Sequence, residues 1–172
     1  MGRDVIAAEG RAMPTVDVGQ FKSALASFAT GVTLATTTGG GDPHGVTANA
    51  IMSVSLEPPL VALSIQQGTR MHAALQRGDN FALSVLAREH AEVARYFADS
   101  TQPHGAAAFS RFPCRPGITG APLLDQALAH VDCRIVEAYP AGDHTLYLGQ
   151  VVYSAIRPDG EALLYFRKHF VE

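Results

Sequence analysis

The chain has 172 residues, 47% of them hydrophobic and 17% charged, a length and composition typical of one packed domain. Its formal net charge of −3 argues against a basic surface that attracts nucleic acid or anionic membranes. Polar residues, proline or glycine break every long apolar run before it reaches bilayer length, and residues 1–14 lack the apolar core of a signal peptide. We therefore expect a cytoplasmic protein without a nucleic-acid or membrane partner.

Residues 1–14 show no periodicity and predict a flexible N-terminal arm, which leaves residues 15–172 as the folded domain. Asp17 precedes a helical pattern and is the expected N-cap of a helix that ends near Gly31. The apolar residues that share one face of this helix are Phe21, Ala24, Leu25 and Phe28.

Strand-like segments outnumber helical segments in the rest of the chain. Alternating or β-branched runs predict strands at 32–38, 46–55, 60–65, 80–86, 129–138, 144–156 and 162–165. Helical periodicity predicts short helices at 71–76 and 89–97. The turn at 39–43 should join the first two strands as a hairpin, and the long loop at 98–122 has the length of a functional lid. Because strands and helices do not alternate regularly, the pattern favours a mainly antiparallel barrel with a few attached helices.

The segment 45–61 places small, hydroxyl-bearing and amide residues just before the rigid Pro58-Pro59 pair. Short polar side chains can form hydrogen bonds with a ligand, and small residues let a ring system approach the backbone. The polar positions are Thr47, Asn49, Ser53 and Ser55, and the small ones are Gly45, Ala48 and Ala50. The pattern is typical of a site for a planar, phosphate-bearing cofactor, and equally of a half-buried strand with one polar face.

The sequence lacks the motifs of several large enzyme classes, including Gly-x-Gly-x-x-Gly, the phosphate-binding loop and the Gly-x-Ser-x-Gly nucleophile elbow. Its seven histidines have no zinc-type spacing, so we expect no bound metal. Cys114 and Cys133 do not form a Cys-x-x-Cys pair and are expected to be reduced thiols, with Cys133 in the core. We expect His90, His104 and His130 to be surface or loop residues.

His144 follows the Gly142-Asp143 turn and opens the strand at 144–156, which places it near a barrel rim where ligands commonly bind. A histidine at a turn is often only a solvated or capping group. Its near-neutral pKa also makes a role in proton or hydride chemistry possible, and the pattern leaves both interpretations open.

Several separate motifs occur together, in order and with matching spacing. They are Phe28-Ala29-Thr30-Gly31-Val32-Thr33, Thr47-Ala48-Asn49, Ser53-Val54-Ser55-Leu56-Glu57-Pro58-Pro59-Leu60-Val61, Gly142-Asp143-His144-Thr145 and Leu163-Leu164-Tyr165-Phe166-Arg167. Over residues 18–170 the chain resembles the flavin reductase-like family of FMN-binding split barrels. The resemblance implies a homodimeric, six-stranded antiparallel split β-barrel with the flavin at the subunit interface. It also implies hydride transfer from NADH or NADPH to FMN or FAD, and reduced flavin passes in many relatives to a separate monooxygenase.

The resemblance further implies roles for individual positions. Contacts with the isoalloxazine edge fall to Thr47, Ala48 and Asn49, and contacts along the ribityl and phosphate side to Ser53, Val54 and Ser55. Ala50 is a further cofactor-binding position. The phosphate end falls to Gln66, Gln67 and Thr69. His144 lies near the nicotinamide in relatives, where it could orient the hydride donor, and Phe109 with the long loop could cover the stacked rings. Tyr165 and Arg167 could reach the ring or the phosphate, or could equally be a core tyrosine and a surface arginine.

The sequence also departs from the family pattern. Ala50 stands where a serine is common, and Gln67 and Gly68 stand where relatives often have a basic residue and a hydroxyl. Weaker phosphate binding would make the flavin a diffusing substrate, and the choice between FMN and FAD stays open. The absence of clustered arginines favours NADH over NADPH, although Arg70 or Arg167 could hold a 2′-phosphate. The alternatives are an FMN-retaining oxidoreductase that acts on another small molecule and a non-catalytic flavin- or haem-binding split-barrel protein.

Overall fold

The computed structural model describes residues 15–171, so the predicted N-terminal arm at 1–14 lies outside the described residues. The helices are α1 (Val18–Ala26), α2 (Arg70–Arg77) and α3 (Ala91–Ala98), with 3₁₀ turns at Arg88–His90 and Gly105–Phe109. The strands are β1 (Thr30–Gly31), β2 (Thr33–Thr37), β3 (His44–Ala48), β4 (Ile51–Leu56), β5 (Pro59–Gln66), β6 (Asn80–Val85), β7 (Cys114–Pro116), β8 (Pro122–Leu124), β9 (Ala129–Ala141), β10 (His144–Ile156), β11 (Leu164–Phe166) and β12 (His169–Val171). Among these residues no helix is long and apolar enough to span a membrane.

The expectation of a mainly β, antiparallel fold with a few helices is confirmed. The main sheet has seven antiparallel strands in the order β3-β2-β6-β9-β10-β5-β4 and is not closed, so the expected six-stranded split barrel was wrong. The predicted strand at 46–55 is two strands, because Asn49 and Ala50 form a corner between β3 and β4. After this corner the pairing partner changes from β2 to β5. The two edge strands of the sheet are therefore separated by only two residues, about 10 Å of extended chain, and the sheet must curl until its edges approach at this corner.

The curled sheet encloses one apolar cluster and carries a second on its outside. Residues of alternate strand positions, with Met71 and Leu75 of α2, fill the inside, where Phe81, Leu63 and Cys133 are fully buried. The prediction that Cys133 lies in the core is confirmed. The outer cluster packs α3, through buried residues that include Val93 and Phe97, against β2 and the chain before β9.

Two local expectations had different outcomes. Asp17 is the N-cap of α1, since its carboxylate accepts a hydrogen bond from the backbone N–H of Gln20 at 2.6 Å. His130 is buried rather than at the surface, because its Nε2 lies 2.7 Å from the carbonyl oxygen of Leu124, which gives the imidazole a polar partner in the interior. The short strand β12 was not predicted, because three residues are too few for a periodic signal.

Candidate active site

A cavity of about 620 Å³ opens beside the corner between β3 and β4. Its walls come from β3, the corner, the end of β5, the start of α2, the chain after α3 and the first residue of β10. Of the predicted site residues, those that line it are Thr47, Ala48, Asn49, Ala50, Gln66, Thr69 and His144. The structure thus brings together residues that are almost one hundred positions apart in the sequence.

The corner presents small side chains and a fixed backbone to the cavity. The Thr47 hydroxyl donates to the carbonyl oxygen of Ala94 at 2.7 Å, which ties β3 to α3. The Asn49 side-chain amide donates to the hydroxyl of Thr30 at 3.1 Å, so its carbonyl end is free to accept a hydrogen bond from a ligand. With alanine at 48 and 50, a flat molecule can lie against this backbone.

The loop between β5 and α2 forms the next wall. Thr69 caps α2, since its hydroxyl oxygen accepts a hydrogen bond from the backbone N–H of His72 at 3.2 Å and its O–H donates to the Gln66 carbonyl oxygen at 2.8 Å. The Gln67 amide donates to the carbonyl oxygen of His144 at 3.0 Å and is not among the residues that line the cavity. Gln67 therefore holds the β10 end of the site.

His144 is fixed at the turn end of the β9–β10 hairpin. Its Nδ1 lies 2.8 Å from Oδ1 of Asp143, and this bond is the main cause that lowers the pKa of the Asp143 carboxyl below its ordinary value. A carboxylate can only accept, so Nδ1 carries the proton and Nε2 of the neutral ring is left as an acceptor. Gly142 has φ +64°, which suits the first central position of a type II′ hairpin turn.

Arg70 lies at the other rim of the cavity, and the sequence alone did not connect it with flavin binding. Nη1 of Arg70 lies 3.3 Å from the carbonyl oxygen of Gln102 and 2.9 Å from Nε2 of His104, and Nη2 donates to the carbonyl oxygen of Ser100. Burial, together with the positive charge of Arg70 and with His104, lowers the pKa of His44. Arg70 therefore places a guanidinium charge at this rim, and the Asp99 carboxylate also lines the cavity and interacts with it.

Comparisons with known proteins identify the family of this chain. The flavin reductase like domain matches residues 25–172. The chain belongs to the flavin reductase-like family. An NADH-dependent FAD reductase from Streptomyces globisporus is 38% identical over 162 residues, which cover 94% of this chain and 88% of that protein.

Solved structures of the family have the same fold. The Streptomyces globisporus NADH:FAD oxidoreductase in complex with NAD and FAD fragments superposes with a TM-score of 0.83 at 37% identity, covering 93% of this chain and 96% of that one. The flavin reductase component of a bacterial two-component tryptophan halogenase gives a TM-score of 0.85 at 37% identity, covering 90% and 97% of the two chains.

The cavity fits the flavin that the family implies. Its volume lies within the range of about 300 to 1,000 Å³ that small-molecule sites span. Gln102, a buried residue in its wall, donates through its amide to the Gly45 carbonyl oxygen at 3.0 Å, and among the described residues its own amide oxygen Oε1 has no hydrogen-bond partner. An unpaired buried acceptor costs about 1 to 3 kcal/mol, and an N–H or hydroxyl group of a bound flavin would satisfy it once the buried Gln102 side chain turned its amide oxygen towards the cavity. Sequence reasoning missed Gln102, for which the one signal was its place in the long loop at 98–122.

The remaining predicted site residues of this family member lie elsewhere. Ser53, Val54 and Ser55 are on the edge strand β4 and do not line the cavity. Phe109 packs against Phe97 beneath β3, with ring centroids 5.2 Å apart. Tyr165 lines a neighbouring cavity of about 350 Å³ that shares Thr47 and Asn49 with the first. Arg167 is exposed, with its guanidinium carbon 5.1 Å from the centre of the Phe166 ring.

Proposed function

We propose that this protein is an NAD(P)H-dependent flavin reductase that binds FMN or FAD in the 620 Å³ cavity and supplies reduced flavin to a separate monooxygenase component. The observation that carries the proposal is the oriented His144 imidazole, which shares this cavity with the small-residue corner of β3 and β4. Two relatives that are NADH-dependent flavin reductases support it. So do two relatives that are the reductase components of a monooxygenase and of a two-component halogenase.

The chemistry of hydride transfer belongs to the flavin and the nicotinamide nucleotide. The protein has to hold the two rings in contact and exclude water. Ala48 and Ala50 leave room for the isoalloxazine ring, and Asn49 and Gln102 offer amide oxygens to its donors. His144 lies where it can bind the nicotinamide carboxamide through Nε2, whose direction the Asp143 carboxylate fixes.

Flavin is exchanged rather than retained in this proposal. Gln67 and Thr69 already bind protein groups through their side chains. The phosphate end of the cavity therefore depends on Arg70, part of whose guanidinium group is also engaged with protein atoms. A site with few groups dedicated to the phosphate releases reduced flavin more readily than one with a full set of charge-assisted hydrogen bonds.

A homodimer accounts for the exposed apolar side chains of β4 and β10. Leu56 and Ile156 are 89% and 82% exposed. Leu60 of β5 pairs with Ser55 on one side and Gln150 on the other, so Leu56 and the apolar positions that follow Gln150 lie towards the same end of the sheet. A second copy that covers this surface would also place residues 53–55 of the first copy next to the cavity of the second. This is the position at the subunit interface that the family resemblance implies.

The dimer is tested by light scattering of the purified protein and of Leu56→Glu. The wild type should have twice the mass of one chain, and the variant should shift towards the monomer and bind flavin more weakly. Ile118→Glu is the matched control, because Ile118 is also exposed (68%) but lies in the turn between β7 and β8. A monomeric wild type would contradict the proposal.

The reductase activity is tested by mixing the protein anaerobically with FMN or FAD, adding NADH and then NADPH, and following the loss of oxidised flavin absorbance against a protein-free control. Rapid bleaching that requires the protein is the expected result. Tight flavin binding without bleaching by either nucleotide would instead support a flavin-binding protein or an FMN-retaining enzyme with another substrate.

A further inference from the structure

A second groove of about 290 Å³ adjoins the flavin cavity. Arg70 and His44 line both spaces, so the groove begins at the rim of the cavity that holds the Arg70 guanidinium. Helix α2 forms one wall, the glycine-rich turn after β2 forms the other, and His104 and Gly105 lie at the side.

The wall from α2 is a single helical face. Arg70, Ala73, Ala74 and Arg77 line the groove, and their spacing of three, four and seven residues places them on the same side of a helix. Arg77 is seven residues beyond Arg70, about 10 Å along the helix axis. The alanines between them leave an open channel with a guanidinium group at each end.

The opposite wall is held close by glycines. A Cβ on Gly39 would lie 1.8 Å from the Ala74 carbonyl oxygen, so the turn packs directly on α2. A Cβ on Gly40, which has φ +86°, would lie 2.8 Å from Nε of Arg77. The turn therefore holds the Arg77 side chain at the far end of the groove.

The two arginines of the groove have no carboxylate partner among the described residues, where neither Arg70 nor Arg77 has a carboxylate oxygen within 4.0 Å. Arg70 contacts backbone carbonyl oxygens and His104 instead. Elsewhere, arginines paired with a carboxylate include Arg88, Arg111, Arg134 and Arg157. Asp42 is the carboxylate that lines the groove, beside Arg70, Arg77, His44 and His104. The groove thus has an excess of positive charge that an anionic ligand can neutralise.

We infer that this groove binds the adenylate half of FAD, an inference that rests on the proposed flavin site. The flavin ring lies in the main cavity, the first phosphate reaches Arg70, and the second phosphate and the adenosine extend along Ala73 to Arg77. The Asp42 carboxylate can accept hydrogen bonds from ribose hydroxyls, the role acidic residues have at other dinucleotide sites. FMN ends at its single phosphate and does not reach Arg77, so the groove makes the protein select FAD over FMN.

The test is the dissociation constant of FAD and of FMN, measured without nucleotide by quenching of flavin fluorescence. In Arg77→Gln the dissociation constant of FAD should rise about fivefold to tenfold, which is the change expected from the loss of one partly exposed charge-assisted hydrogen bond. The dissociation constant of FMN should stay within about twofold of the wild-type value. Ala73→Leu should act in the same way by filling the groove, because leucine keeps the helix and changes no charge. Arg115→Gln is the control, since Arg115 is exposed on β7 and lines neither space.

Each of the following outcomes would overturn the inference. If Arg77→Gln and Ala73→Leu leave the dissociation constant of FAD unchanged, or raise the constants of FAD and FMN equally, the groove is no adenylate subsite. If the FAD constant is unchanged but the KM for NADH rises with FMN as acceptor, the groove takes the adenylate of NADH instead. If the wild type binds neither flavin, the proposed function itself fails. Thermal unfolding of each variant checks that it is folded.

Discussion

Gly149 of β10 lies under the ring of Phe81, so a side chain at this position should destabilise the folded protein. A Cβ at Gly149 would lie 2.5 Å from Cζ of Phe81 and 2.8 Å from Cβ of Cys133, whereas carbon atoms in contact are about 3.5 to 4.0 Å apart. Both neighbours are fully buried, so the core must open by about 1 Å. Overpacking of this kind costs about 1 to 3 kcal/mol. Gly→Ala also stabilises by roughly 0.4 to 1 kcal/mol, because it lowers the conformational entropy of the unfolded chain. The overpacking cost is the larger of the two.

We therefore expect Gly149→Ala to lower the free energy of unfolding by about 1 to 2 kcal/mol and the midpoint of thermal unfolding by roughly 2 to 8 °C. Gly31→Ala is the matched control, because a Cβ there has nothing within 4 Å and the residue does not require a positive φ. That variant should instead be more stable by about 0.4 to 1 kcal/mol. Circular dichroism melts and urea titrations measure both. Unfolding of Gly149→Ala at or above the wild-type midpoint would refute the packing of Phe81 over Gly149.

Other predictions concern the site and the pH dependence. His144→Ala should slow NADH-dependent flavin reduction about tenfold or more and leave the flavin dissociation constant unchanged, whereas Asn49→Ala should raise that constant; equal losses of both properties in both variants would contradict the roles. Thr47→Val should lower the free energy of unfolding in urea by about 1 kcal/mol, since it removes the 2.7 Å bond to the α3 backbone. Burial lowers the pKa of His90, whose Nδ1 accepts a hydrogen bond from the N–H of Ala87 at 3.2 Å. His90 then binds a proton at higher pH in the unfolded chain than in the folded protein. The free energy of unfolding should therefore fall as the pH is lowered from about 7.5 to 5.5. His90→Asn keeps an acceptor and should reduce that fall, and an unchanged pH dependence would exclude His90 as its source.

Much of the fold could be predicted because the strand signal is local. The strand predicted at 144–156 coincides with β10, and the one predicted at 80–86 differs from β6 by one residue. The segment 46–55 was wrongly predicted as one strand, because both halves have β-forming side chains. What divides it is the change of pairing partner from β2 to β5, a long-range choice that no local pattern records.

The candidate site was predictable to the extent that residue type alone suggests a ligand. The small and polar residues at Thr47–Ala50 and the histidine after a Gly-Asp turn line one cavity, and their contact with a flavin stays a prediction. Gln102 and His44 could not be found in this way, because their significance depends on burial and on the neighbours that the folded loop brings to them. Arg77 belongs to the same class, since only the packing of the glycine turn on α2 gives it a groove to line.

Strand β5 links the two halves of the site. The backbone N–H of Ser64 donates to the Ala50 carbonyl oxygen at 3.0 Å, which holds the corner between β3 and β4. Two residues later Gln66 pairs with His144. Two residues of a strand span about 7 Å, so the corner and the imidazole are positioned on one short, rigid segment. A slip of one residue between β5 and β10 would turn His144 to the opposite face of the sheet. The contact of the two rings needed for hydride transfer therefore depends on the same register that the buried core of the sheet enforces.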